Sequence, residues 1–348
     1  MGIEKNWNIN IGTLKKGKRN LITDVSGVTV GHCTLSDGDI QTGVTAIKPH
    51  QGNMFKDKLM AASYVINGFG KSIGLVEVEE LGQIETPLLL TNTLSVGTVG
   101  TGLIRYMLSQ NDDIGTTTGS VNPVVFECND SSLNDLRGLH VKEEHAFSAL
   151  DDCKENFEEG AVGAGRGMRC HELKGGIGSA SRVFEIDDKE YTLGALTLTN
   201  HARYADLTIN GDPIGKRIAY PREETEDKGS VITIIATDLP LSERQLKRLC
   251  KRVPVGLSRT GSIMANGSGE IALAFTTANH KPHYSEKAVL PMNFLLDKEI
   301  DIVFRAVSEC VEEAVISSLL HAETVVGRSG NKVVSLAEIL KNDPKYTI

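Results

Sequence analysis

The stretch KGSVITIIATD, residues 228–238, sets Gly229 and Ser230 between the charged run REETEDK and an apolar, β-branched run. A serine gains a built-in base when it is the first residue of a chain, because its own α-amine, with an unperturbed pKa of roughly 7.7 to 8.0, lies within reach of its hydroxyl. Such a terminus must be made by cutting a precursor. The hydroxyl can make the cut by attacking the preceding carbonyl, and glycine suits that position because it lacks a Cβ and tolerates strained dihedrals. The charged run 222–228 would then be the loop that moves aside, and residues 231–237 the strand that holds Ser230. Ser120, Ser179, Ser262 and Ser268 also follow glycine, but none has a charged run before it and an apolar strand after it. Gly-Ser before a strand is common, so the pattern alone leaves a scissile bond and a plain turn both open.

Other catalytic patterns do not fit. The histidine pairs His280/His283 and His140/His145 lack the i, i+4 spacing with an intervening glutamate of a zinc hydrolase, and read as solvated surface residues. The run NGSGE, residues 266–270, does not make a G-x-S-x-G elbow. The glycine-rich stretch 160–179 fails as a dinucleotide fingerprint, with Met168 at a required glycine, and NGDPIGKR fails as a phosphate loop at Asn210 and Arg217. The role left for these glycines is backbone turning. Cys33, Cys128, Cys153, Cys170, Cys250 and Cys310 form no CxxC, so buried thiols outside disulfides are expected and neither a metal nor a cofactor is assigned.

Of the 348 residues, 40% are hydrophobic and 24% charged, enough for one large core. The net charge of -8 provides no basic field for nucleic acid or an anionic membrane surface, which makes a small molecule or peptide the expected partner. MGIEKNWNIN has neither the charged start nor the apolar stretch of a signal peptide, and no long apolar run is present; the expectation is a cytoplasmic protein.

The elements that must position Ser230 follow from periodicity. Segments within 28–49, then AASYVING and PLLLTNT, read as strands, and a helix is expected over 99–109. In PLSERQLKRLCKRV, Ser242 and Gln245 form a capping box ahead of an apolar stripe of Leu246, Leu249, Cys250 and Val253. Ile271, Leu273 and Phe275 alternate along a strand, and a long helix runs from about 298 to 321, with a stop near Gly327. Strands interleaved with amphipathic helices predict layers of sheet and helix in one continuous domain over 1–348.

Several motifs together resemble the family of L-aminopeptidase/D-esterase/amidases and β-peptidyl aminopeptidases. They are LITDVSGVTVGHCTL, TPLLLTNTLSVGTV, LNDLRGLHV, KGSVITIIATDLPL and VGLSRTGS, in order between about residues 20 and 280. The resemblance implies an α+β fold, a four-layer αββα sandwich similar in layering to N-terminal-nucleophile hydrolases. It implies self-cleavage at Gly229-Ser230 into an α chain of residues 1–229 and a β chain of 348 - 229 = 119 residues. It makes Ser230 the nucleophile, Ser268 and Glu270 of NGSGE its assistants in proton transfer, and Asn200 an oxyanion-stabilising amide. Two residues apart on one strand, Ser268 and Glu270 share a face, so the carboxylate can orient the hydroxyl.

By position in PVVFECNDSSLNDL, Glu127 would pair with the free amine of the substrate and Asn129 would line the entrance. This chain departs from the family at Asn129, where several members have Tyr, at Ser132, where they have a large aromatic, and at Phe69 and Lys71, where Asn and Glu are frequent. The implied activity is that of a metal-free serine aminopeptidase or amidase acting through acyl-Ser230 on small peptides, amides or esters with a free amine, β-peptides included. A homo-oligomer, a tetramer of αβ units, is implied too. An acyltransferase of the same fold and an uncut protein that only binds amino compounds are the alternatives.

Overall fold

Residues 7–218 and 229–342 are described by a computed structural model, and the run 222–228 expected before the scissile bond lies outside them. The strands in chain order are β1 (Thr29–Asp37), β2 (Ile40–Lys48), β3 (Asp57–Gly68), β4 (Gln83–Ile84), β5 (Leu88–Asn92), β6 (Val124–Cys128), β7 (Arg169–Cys170), β8 (Leu173–Lys174), β9 (Ile177–Ile186), β10 (Lys189–Asn200), β11 (Ser230–Thr237) and β12 (Gly269–Pro282). The helices used below are α1 (Val96–Leu108), α2 (Glu143–Asp151), α3 (Glu243–Cys250), α4 (Val253–Arg259) and α5 (Asp301–Leu320).

Two sheets are stacked. One has the order β1-β2-β5-β6 and the other β4-β3-β12-β11-β10-β9. In β11 the residues Ser230–Thr237 are all buried, as a continuous β-branched run demands when both faces of a strand are covered. Ile232, Ile234 and Ala236 point into the core shared with Val44, Leu89 and Val125 of the smaller sheet. Val231 and Ile235 point the other way, against Leu246, Leu249, Val303 and Val307 of α3 and α5. On the far side of the smaller sheet, α1 and α2 bury Val99, Leu103, Ala149 and Leu150. The layers are therefore helix, sheet, sheet and helix, the expected αββα sandwich of an α+β protein.

Several expected boundaries shift. The helix predicted over 99–109 begins three residues earlier, at Val96. The Ser242/Gln245 capping box is present, with the Ser242 hydroxyl accepting from the Gln245 backbone, but α3 stops at Cys250, so Val253 belongs to α4. Helix α5 ends at Leu320, well before Gly327, and its last residue is followed by His321 in a right-handed conformation rather than by a glycine cap. From Ser308 to Leu320 every α5 residue is buried. That burial requires close approach to the sheet: a Cβ at Gly178 of β9 would lie 1.9 Å from the Ala314 carbonyl oxygen, so only glycine fits. No helix among the described residues is long and apolar enough to cross a membrane, and no cysteine is in a disulfide.

Candidate active site

Ser230 opens β11 between two neighbours. In register it faces Asn200, the last residue of antiparallel β10, on one side and Gly269, the first residue of parallel β12, on the other. The hydroxyl of Ser230 donates to the carbonyl oxygen of Gly229 at 2.7 Å, and the backbone N–H of Gly269 donates to the same oxygen at 3.0 Å. One carbonyl thus receives two donors, and the serine oxygen sits beside the bond that precedes it. Gly229 is fixed by packing: a Cβ there would fall 2.0 Å from the Asn200 carbonyl oxygen.

The other expected residues gather around this point. Ser230, Gly229, Asn200, Asn129 and Glu127 line one cavity of about 540 Å³. Glu127 is buried at 2% exposure at the end of β6, and its carboxylate accepts from the Lys71 backbone N–H at 2.7 Å and from the Thr93 hydroxyl. Asn200 is held rigidly, with Oδ1 accepting from the Arg169 N–H at 2.9 Å and Nδ2 donating to the Asn129 carbonyl at 2.9 Å. One Nδ2 proton is used by that bond, and an amide carries two. Asn129 is exposed at the mouth; Phe69 and Lys71 stand there too, the Lys71 ammonium 4.4 Å from the Phe69 ring centroid.

Ser268 and Glu270 are not in the cavity wall. They flank Gly269, are buried, and are hydrogen-bonded to each other through the Ser268 hydroxyl, although β12 begins only at Gly269, so Ser268 lies one residue before the strand that carries Glu270. Glu270 lies on the face of β12 that carries Ala272 and Ala274, toward the helix layer. Opposite it, β3 has an extra residue, so the register slips between Glu270 and Ile271, and bulges of this kind re-aim side chains beside functional sites.

Sequence reasoning missed a second group in the same wall. Strands β7 and β8 form a hairpin whose two turn residues are His171 and Glu172, with φ of 49° and 60°. A two-residue turn of this hand favours Asn-Gly; a histidine and a glutamate in the left-handed region cost on the order of 1–3 kcal/mol each. Ala202, at φ 67°, is a third left-handed residue, adjoining His201, whose carbonyl accepts from the His171 N–H at 2.8 Å. The turn places Glu172 in the cavity wall and brings His171 against His201, the residue after Asn200; their ring centroids are 5.8 Å apart. Neither ring is solvated. Burial pushes His171 down to about 4, and burial together with the neighbouring His171 pushes His201 down to about 3, so both are neutral imidazoles. Nothing local in RCHELKG signals this, because the contact depends on the pairing of His171 with the chain 30 residues on.

Comparison with known proteins places the whole fold in a family. The family model of peptidase family S58 matches residues 20–333. A β-peptidyl aminopeptidase of Sphingosinicella xenopeptidilytica is 38% identical, over 93% of this chain and 88% of its own. A solved protein of Pyrococcus horikoshii superposes with a TM-score of 0.94 at 52% identity, covering 99% of both chains. The L-aminopeptidase D-Ala-esterase/amidase of Ochrobactrum anthropi, described as a prototype of the serine aminopeptidases and a variant of the Ntn hydrolase fold, superposes with a TM-score of 0.87 at 34% identity, over 95% of this chain and 96% of its own. The matched span covers both sheets and the whole cavity, and the chain belongs to peptidase family S58.

Proposed function

We propose that this serine aminopeptidase and amidase is made as a precursor, cuts itself between Gly229 and Ser230, and uses Ser230 as its nucleophile. The observation that carries this reading is the pair of donors on the Gly229 carbonyl oxygen, the Ser230 hydroxyl and the Gly269 N–H. In the precursor, Oγ attacks the Gly229 carbonyl carbon, the Gly269 N–H stabilises the charge on oxygen, and the C–N bond breaks as the nitrogen takes the hydroxyl proton. Water then hydrolyses the resulting ester, leaving a carboxylate on Gly229 and a free amine on Ser230.

In the mature enzyme that amine removes the Oγ proton as Oγ attacks the substrate carbonyl, and returns it to the leaving amine. Asn200, across the strand pair from Ser230, donates to the oxyanion. Ser268 and Glu270 lie outside the cavity wall and act on the Ser230 amine, orienting it and favouring its charged form during the transfer. Glu127 holds the ammonium of the substrate in a site largely screened from water, where an unpaired cation is costly. Acyl-Ser230 then yields to water. The substrates are small peptides, amides or esters with a free N-terminal amine. Relatives named as β-peptidyl aminopeptidases favour including β-amino acyl groups, and comparing β-alanyl with α-alanyl p-nitroanilide would rank the two. The reading further has the chain fold as one domain and work in the cytoplasm as a tetramer of αβ units, without nucleic acid or membrane.

Intact mass and activity test it together. Wild-type protein at neutral pH should resolve into chains of 229 and 348 - 229 = 119 residues, the second beginning with Ser230. Ser230→Ala should remain one folded chain with activity lowered by a factor on the order of 10⁶. A Ser230→Ala protein that is still cut and active sinks the proposal.

A further inference from the structure

The hairpin turn at His171 is strained and unexplained by peptide hydrolysis, and the His171 ring is fully buried. The Cys170 thiol, one ring nitrogen of His171 and one of His201 all lie within 4.8 Å of one another. His171 and His201 are at most 3% exposed. His171 Nδ1 is engaged with the Arg203 carbonyl at 2.9 Å, while its Nε2 and both nitrogens of His201 have no hydrogen-bond partner among the described residues. A buried imidazole nitrogen without a partner needs a reason. A carbonyl on one histidine nitrogen, leaving the other aimed at a shared point, is the arrangement by which proteins orient a metal-binding ring.

We propose that Cys170, His171 and His201 bind one thiophilic divalent cation of the zinc class, beside the active-site cavity. Two neutral imidazoles and a thiolate are a borderline-soft donor set suited to zinc over magnesium or calcium. Zinc with bonds of about 2.0–2.3 Å places tetrahedral ligand atoms about 3.3–3.8 Å apart, so the three groups close on the ion by about 1 Å, a side-chain adjustment. Binding replaces the thiol proton, which leaves to solvent, so one M–S bond forms as one S–H bond breaks. The carboxylates of Asp206 and Glu172 both favour a positive charge at His171. Because His201 adjoins Asn200 and itself lines the cavity, the ion would pin the strained turn and the strand end that carries the oxyanion donor. The expected role is positional, and nothing in the hydrolytic steps passes through the metal.

The test uses the full-length protein freed of metal by chelator and titrated with Co²⁺, then with Zn²⁺. One equivalent of Co²⁺ should bind and give a thiolate-to-cobalt charge-transfer band in the near ultraviolet, displaced by Zn²⁺. Cys170→Ser should abolish the band. His171→Asn, which keeps a residue tolerant of the left-handed turn, should weaken binding by at least about 100-fold, more than loss of an outer partner would. If the serine variant does not fold, the asparagine variant carries the test alone. A second grouping, His50, Asp57 and His280, is half-exposed and already hydrogen-bonded within itself. His50→Ala should leave the signal intact. Absence of a band in excess Co²⁺, binding by the Cys170 and His171 variants as tight as that of the wild type, or loss only with His50→Ala would each overturn the proposal.

Discussion

Two buried polar clusters hang on the larger sheet and are built to different rules. Arg182 of β9 reaches Glu309 at 3.0 Å and Glu313 at 2.7 Å on α5, and donates to the Ser181 and Ile11 carbonyls. Glu309 also accepts from the Thr13 and Leu14 backbones, and Glu313 pairs with Lys16 and Asn20. At the other end of β10, His171 and His201 keep ring nitrogens without partners among the described residues, and His201 itself lines the open cavity. The closed cluster ties the N-terminal segment, a strand and a helix together and leaves nothing for a ligand. The incomplete one has capacity to spare, which is what binding and catalysis need. A satisfied network is therefore a structural element, and the unsatisfied neighbour is where function belongs.

The contrast can be broken from either side. Removing one partner of the closed cluster, Arg182→Ala, leaves two carboxylates buried and should lower unfolding free energy by about 3–5 kcal/mol in urea titration, with kcat of the folded fraction unchanged. Acid should attack the other cluster first. His171 and His201 bind protons only near 4 and 3 when folded but near 6.5 when unfolded, so their contribution is complete above about pH 6.5 and is lost as pH falls toward 4. The loss is about 3 kcal/mol per ring by pH 4 in chelator, and His171→Asn should flatten the profile by about one ring's share. Asn200→Ala should lower kcat about 10²- to 10³-fold while costing only about 1 kcal/mol of stability, the inverse of Arg182→Ala. Glu127→Gln should be milder, a fall of about 10- to 100-fold in kcat/KM for substrates with a free amine and little change for residual turnover of N-acylated ones.

What could be read in the chain was whatever depends on local pattern. The β-branched run after Ser230 had to be a strand buried on both faces, and it is; Ser268 and Glu270 do meet, though Ser268 stands one residue before the strand rather than on it. The capping box set the start of α3 because its chemistry is confined to four residues. The periodic run placed the end of α5 within a residue of Leu320, whereas the stop expected at Gly327 plays no part, because His321 closes the helix in a right-handed conformation. The relation of Glu127 to Ser230 came only with the resemblance to a known family, since those residues meet through the stacking of two sheets. The His171/His201 contact escaped altogether: an unfavourable turn sequence held by tertiary pairing has no signature in a single chain.

The strand order carries one last implication. Strand β11 lies between β10 and β12, and β12 in turn pairs with β3, so a cut at Gly229 leaves two polypeptides woven through one sheet. Before the cut, folding is a first-order event. Afterwards the same sheet can be rebuilt only by two molecules meeting, and recovery from denaturation should depend on protein concentration. The enzyme's birth and its ageing would then obey different molecularities, and a mature copy once melted in dilute solution would be lost for good.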